Sequence, residues 1–219
     1  MSQWTPDSRA DAVDAFLEHA PVLPVLAIQR LDDAVPLARA LVAGGLPVLE
    51  VTLRGPFALA AIAAIRSAVP EAVIGVGTVL RSTDLHAAIE AGARFAIAPG
   101  ATEALYAAAA GAVIPFIPAV ATASELMRGL ELGYRRFKFF PARSAGGTDA
   151  LRSLAGPFPQ ARFCPTGGID AESAPSYLAL ANVITVGGSW MAPNDVVARG
   201  DWQAITALAH ACTGLRPAR

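Results

Sequence analysis

Lysine is nearly missing from this chain. Lys138 stands alone among 219 residues, and the rest of the 17 Lys+Arg side chains are arginines. Cysteine is scarce too: Cys164 and Cys212 lie far apart without metal-type spacing, which argues against a disulfide framework or a zinc site. Two such cysteines suit a reducing compartment, and a cytoplasmic setting is expected. His19, His86 and His210 fall in separate helical segments, so no catalytic metal is expected either. Charged residues make up only 16% of the chain and the formal net charge is −1, which leaves little to hold a polyanion and argues against nucleic acid. The longest apolar run, 104–121, is broken by Tyr106, Gly111, Pro115 and Pro118, so it reads as a helix end followed by a buried strand. No membrane span is expected. The opening Met1-Ser2-Gln3-Trp4 shows neither the basic nor the apolar region of a secretory signal.

What the chain has in abundance is apolar surface. Hydrophobic residues reach 54% and the mean hydropathy is +0.46, so assembly with further copies is expected, the alternative being a well-filled barrel alone. After an N-terminal segment with helical spacing (Val13, Phe16, Leu17), short apolar runs alternate with Ala/Leu-rich amphipathic stretches. Strands are predicted at 22–28, 48–53, 73–77, 95–99, 113–117, 137–140, 162–166 and 183–186, mostly apolar throughout, as in a parallel sheet covered on both faces. Helices are predicted at 33–43, 57–68, 84–91, 103–110, 124–132, 148–154, 172–180 and 202–211. Repeated strand–helix units in about this length favour a closed α/β structure. We expect a single-domain (β/α)8 TIM barrel over residues 1–219, with an extra N-terminal helix and the active site at the C-terminal strand ends. A doubly wound open sheet is the alternative, but it would place a ligand at one switch point, whereas polar residues here mark the ends of many strands.

The chemistry centres on Arg136-Phe137-Lys138-Phe139-Phe140-Pro141. An ammonium among phenylalanines in a buried strand must find a partner or lose its charge. An ordinary lysine, with a pKa of ~10.4, is below roughly 0.1% neutral at pH 7, so a nucleophilic one needs desolvation and nearby cations. Arg54 and Arg136 are the candidate cations. On the second strand Glu50, Thr52 and Arg54 recur at every second position and share one face. A carboxylate facing a barrel interior can act as a general acid or base, although a purely structural Glu50–Arg54 pair fits the same spacing. Gly77-Thr78 ends the third strand and offers close backbone approach and a hydroxyl donor. Strands seven and eight finish in Thr166-Gly167-Gly168 and Gly187-Gly188-Ser189, where barrel enzymes frequently hold phosphate on backbone N–H groups. Arg143, in the loop after Lys138, is a candidate second charge partner. Cys164 reads as barrel filling.

The runs Leu49-Glu50-Val51-Thr52-Leu53-Arg54, Gly77-Thr78-Val79-Leu80, Phe137-Lys138-Phe139-Phe140-Pro141-Ala142, Cys164-Pro165-Thr166-Gly167-Gly168-Ile169 and Gly187-Gly188-Ser189-Trp190 resemble, in order and over nearly the whole chain, the class I 2-keto-3-deoxy-6-phosphogluconate aldolases of the Entner–Doudoroff pathway. The resemblance implies Lys138 as the Schiff-base lysine and Glu50 as the proton shuttle. It implies Arg54, Thr78 and Thr166 on the pyruvate end, with Phe140 packed on it, and Gly167, Gly168, Gly188 and Ser189 on the phosphate. It also implies cleavage of a phosphorylated 2-keto-3-deoxy sugar acid to pyruvate and glyceraldehyde 3-phosphate, no cofactor, and a homotrimer. The chain departs from the family at Gly55-Pro56 and at Arg143-Ser144-Ala145, the latter replacing a more acidic stretch. Within the same chemistry the alternatives are the galactonate-series substrate and 4-hydroxy-2-oxoglutarate. Outside it they are a pyridoxal-phosphate-binding barrel and a metal-dependent aldolase.

Overall fold

The computed structural model describes residues 4–216. Its strands are β1 (Val22–Leu26), β2 (Val48–Thr52), β3 (Val73–Gly77), β4 (Ala96–Ile97), β5 (Phe116–Ile117), β6 (Ala119–Val120), β7 (Arg136–Phe139), β8 (Arg162–Pro165) and β9 (Val186–Gly188). All their pairings are parallel, in the orders β5-β4-β3-β2-β1-β9 and β6-β7-β8. Two links close the ring. β5 runs into β6 through Pro118, and β8 meets the last strand through the bridges Phe163↔Val183 and Thr166↔Gly187. The expected α/β barrel is therefore present, with β5 and β6 as two halves of one strand position.

The helices are α1 (Pro6–Leu17), α2 (Ala34–Ala43), α3 (Ala58–Ala68), α4 (Ser82–Glu90), α5 (Glu103–Ala110), α6 (Ala123–Glu131), α7 (Gly147–Ala155), α8 (Ala174–Leu178), α9 (Asn194–Ala198) and α10 (Trp202–Thr213). Several start where a hydroxyl can take an otherwise unpaired N–H: Thr5 accepts from Ser8 N, Thr102 from Leu105 N, and Thr122 from Glu125 N in a reciprocal capping box. Their apolar faces cover the outside of the sheet, with Leu37, Leu41, Ile62 and Ile65 in one cluster with Leu49 and Val51. α1 does a different job. Its Val13, Phe16 and Leu17 cluster with inward residues of the barrel, among them Leu23, Val48, Phe95 and Ile184. Phe16 stacks on Phe95 with ring centroids 4.5 Å apart, and this end of the barrel is thereby filled with side chains.

The structure differs from the sequence prediction at several strand ends. The fifth strand begins at Phe116 rather than 113, and Val113 is 67% exposed. Pro118 has no N–H to give, so the strand changes neighbours there: Phe116 and Ile117 pair with β4, whereas Ala119 and Val120 pair with β7. The last strand lies at Val186–Gly188, and within the predicted 183–186 run Val183 makes only an isolated bridge. The short helix α9 was not predicted.

Candidate active site

β7 carries Lys138 into the barrel because alternate residues of a strand point to opposite faces. Phe137 and Phe139 join the outer core while Lys138 turns inward. Two strands hold it in place. Its backbone N–H donates to the Pro118 carbonyl at 2.9 Å, and its register partner on β8 is Cys164. Inside the barrel Lys138 Nζ donates to Glu50 Oε1 at 3.1 Å, with the lysine 5% and the glutamate 0% exposed. The lysine thus has a carboxylate partner and is largely buried. Nζ also lies 5.4 Å from the centroid of the Phe140 ring. The second carboxylate oxygen, Glu50 Oε2, is buried with no hydrogen-bond partner among the described residues. A buried acceptor left unmatched costs about 1–3 kcal/mol, so Oε2 is an open acceptor for a hydroxyl donor that enters the cavity.

Room for this carboxylate comes from Gly77 on β3. A Cβ there would stand 2.0 Å from Glu50 Oε1, so only glycine lets the side chain lie across the strand. One residue on, Thr78 has φ +61°, a left-handed conformation that is uncommon for a β-branched residue and sits on the wall of the site. On β2 the Thr52 hydroxyl donates to Leu26 O at 2.9 Å and accepts from Arg54 Nε at 3.2 Å. Arg54 makes no ion pair among the described residues. The alternative structural Glu50–Arg54 pair is absent, since Glu50 faces Lys138 instead. Cys164 lies behind the pair, where burial pushes its thiol up to about 12, and it fills space rather than offering a thiolate.

These side chains open into a cavity of about 280 Å³ at the C-terminal strand ends. All ten residues to which the resemblance gives a role line it: Lys138 and Glu50, then Arg54, Thr78, Phe140 and Thr166, and Gly167, Gly168, Gly188 and Ser189, whereas the candidate cations Arg136 and Arg143 do not. Gly167 and Gly168 have φ of +104° and +74°, which L side chains rarely adopt, so this turn needs glycine at both positions. At Gly188 a Cβ would run into the Trp190 ring at 1.9 Å, so packing of the indole demands glycine there as well. Val25 and Pro99 also line the cavity and were not singled out, because an apolar strand residue and a proline after a strand carry no chemical signal of their own. Arg136, expected as a cationic neighbour of Lys138, sits at the opposite end of β7. Its guanidinium makes two hydrogen bonds to the Asp14 carboxylate on α1, so it ties the N-terminal helix to the barrel.

Fold and cavity together define the class: a (β/α)8 barrel whose mouth leads to a desolvated amine paired with a carboxylate, with cation and hydroxyl donors around it. Residues 13–208 match the KDPG and KHG aldolase family, and the chain belongs to that family. It is 52% identical over 199 residues to the KHG/KDPG aldolase of Escherichia coli K12, covering 91% of this chain and 93% of the relative. Among solved structures it superposes with TM-score 0.90 on a KDPG aldolase from Legionella pneumophila, captured with pyruvate as a covalent carbinolamine intermediate. That protein is 46% identical, and 97% of this chain and 100% of the other are covered. A 2-keto-3-deoxy-6-phosphogluconate aldolase from Zymomonas mobilis with 3-phosphoglycerate gives the same TM-score at 49% identity, covering 95% of this chain and 98% of the other.

Proposed function

We propose that this protein is a Schiff-base aldolase that reversibly cleaves 2-keto-3-deoxy-6-phosphogluconate to pyruvate and glyceraldehyde 3-phosphate. The observation that carries the reading is the buried Lys138–Glu50 pair at the inner end of a small cavity. Glu50 takes a proton from Nζ, whose lone pair attacks the 2-keto carbon to form a carbinolamine. The carbinolamine hydroxyl, within reach of the unpartnered Oε2, leaves as water with a proton returned by the carboxyl group. The protonated imine then draws the electrons of the C3–C4 bond as it breaks, while Glu50 accepts the proton of the C4 hydroxyl. Glyceraldehyde 3-phosphate departs, the enamine takes a proton at C3, and water releases pyruvate from Lys138. Arg54, Thr78 and Thr166 hold the pyruvate carboxylate, the Phe140 ring covers the imine, and Gly167, Gly168, Gly188 and Ser189 receive the phosphate.

The names of the Escherichia coli and Zymomonas mobilis relatives support the gluconate series, and the former also supports a second activity on 4-hydroxy-2-oxoglutarate. Assembly as a homotrimer of such one-barrel units, working in a reducing cytoplasm, is part of the same reading. Both cysteines are free and buried, which agrees with that setting. The test is a coupled assay of pyruvate release from the two epimeric substrates. The reading expects the gluconate epimer to have the higher kcat/KM, and preference for the galactonate epimer would overturn the substrate assignment.

A further inference from the structure

Arg143 sits where neither the imine chemistry nor the hydroxyl donors use it. Its loop is stitched to the glycine turn by two backbone bonds, Ala142 N to Thr166 O at 2.8 Å and Arg143 N to Gly167 O at 3.0 Å. The side chain then lies along Gly168. A Cβ on that glycine would stand 2.8 Å from Arg143 Cβ and 3.4 Å from its Nε, so the absent side chain is what lets the arginine stem approach the turn. The guanidinium makes one hydrogen bond among the described residues, Nη2 to Asp170 Oδ2 at 3.3 Å. Charge-assisted bonds of this kind are normally about 2.7–2.9 Å, so this one is loose. The other carboxylate oxygen, Oδ1, is already occupied by Ser173 N at 2.9 Å and Ser173 Oγ at 2.7 Å. A cation held by one long contact on an exposed carboxylate is easily drawn to a stronger anion, and Gly168 lines the cavity.

We propose that Arg143 is a specificity-determining residue that leaves Asp170 to pair with the terminal phosphate of the substrate, with Asp170 competing for the guanidinium. The proposal rests on the aldolase reading and assigns to it a charge contact outside the glycine turns. It makes the two members of one ion pair act in opposite directions. Arg143→Gln removes the cation, whereas Asp170→Asn removes only the competing charge and keeps the Oδ1 acceptor that Ser173 uses.

The experiment measures kcat/KM of wild type and both variants with the phosphorylated sugar acid and with its unphosphorylated counterpart, 2-keto-3-deoxygluconate. Arg143→Gln is expected to lower the phosphorylated-to-unphosphorylated ratio about tenfold, mainly through KM, the size of one charge-assisted bond to an exposed dianion. Asp170→Asn is expected to raise the ratio by about two- to fivefold. If both variants move the ratio the same way, or leave it unchanged, the pair is only a clip between loops and the proposal is overturned. Exchange of the methyl protons of pyruvate by the wild-type protein reports the imine chemistry independently. A wild type that neither exchanges them nor cleaves either substrate would overturn the aldolase reading itself, and with it the role of Arg143.

Discussion

Gly77 controls Glu50 by having no side chain. The carboxylate that reaches Lys138 occupies the space a Cβ would take, 2.0 Å from Oε1, so Gly77→Ala must turn Glu50 away or push β3 aside. We expect that variant to stay folded and to lose about 10²-fold or more in kcat, the scale of a misplaced proton-transfer group. Wild-type kcat in a folded Gly77→Ala protein would remove this account of the residue. Much of the residue-scale geometry was legible in advance. The two-residue period of Glu50, Thr52 and Arg54 rests on strand alternation, which the sequence displays directly, and the solitary lysine stands out by composition alone. The partner of Arg136 was not legible, because Asp14 lies on another element and nothing local announces the pairing.

Among the elements, α1 is the one that closes the barrel. Its Phe16 ring stacks on Phe95, and carboxylates on the helix and at its C-cap take arginines at or beside the strand starts: Asp14 pairs with Arg136 and Arg162, Glu18 with Arg162, and Asp7 with Arg135, the residue before β7. The apolar contact dominates the energetics, since the exposed pairs among these contribute only about 0–1 kcal/mol each. Phe16→Ala is accordingly expected to destabilise the protein by about 3–5 kcal/mol, measured by urea unfolding. A loss below about 1 kcal/mol would show that α1 is not part of the core. Helical spacing of Val13, Phe16 and Leu17 announced this helix, and apolar runs announced most strands. Runs of apolar residues did not reveal where pairing begins. Val113 belongs to the fifth run yet stands in solvent, and Pro118 splits the same strand by denying it one ladder hydrogen bond.

At the scale of the whole molecule the two ends of the barrel are chemically unlike. The α1 end is packed with Phe16, Leu23, Val48, Phe95 and Ile184, whereas the other end opens on Glu50, Lys138, Arg54 and paired glycines. That polarity follows from a closed parallel sheet, in which all strands deliver their C-terminal ends to one face. It was legible as polar residues recurring at strand ends, even though the boundaries of individual strands were not. With one lysine in the sequence, the central claim reduces to one amine, because only Lys138 and the N-terminal amino group can form an imine. The most direct test is therefore to incubate the protein with pyruvate and borohydride, weigh the intact chain and map the modified peptide. One reduced pyruvyl group per chain is expected, carried by Lys138 and absent from Lys138→Ala. A folded protein that gains no adduct, or gains it only at the N-terminus, would contradict it.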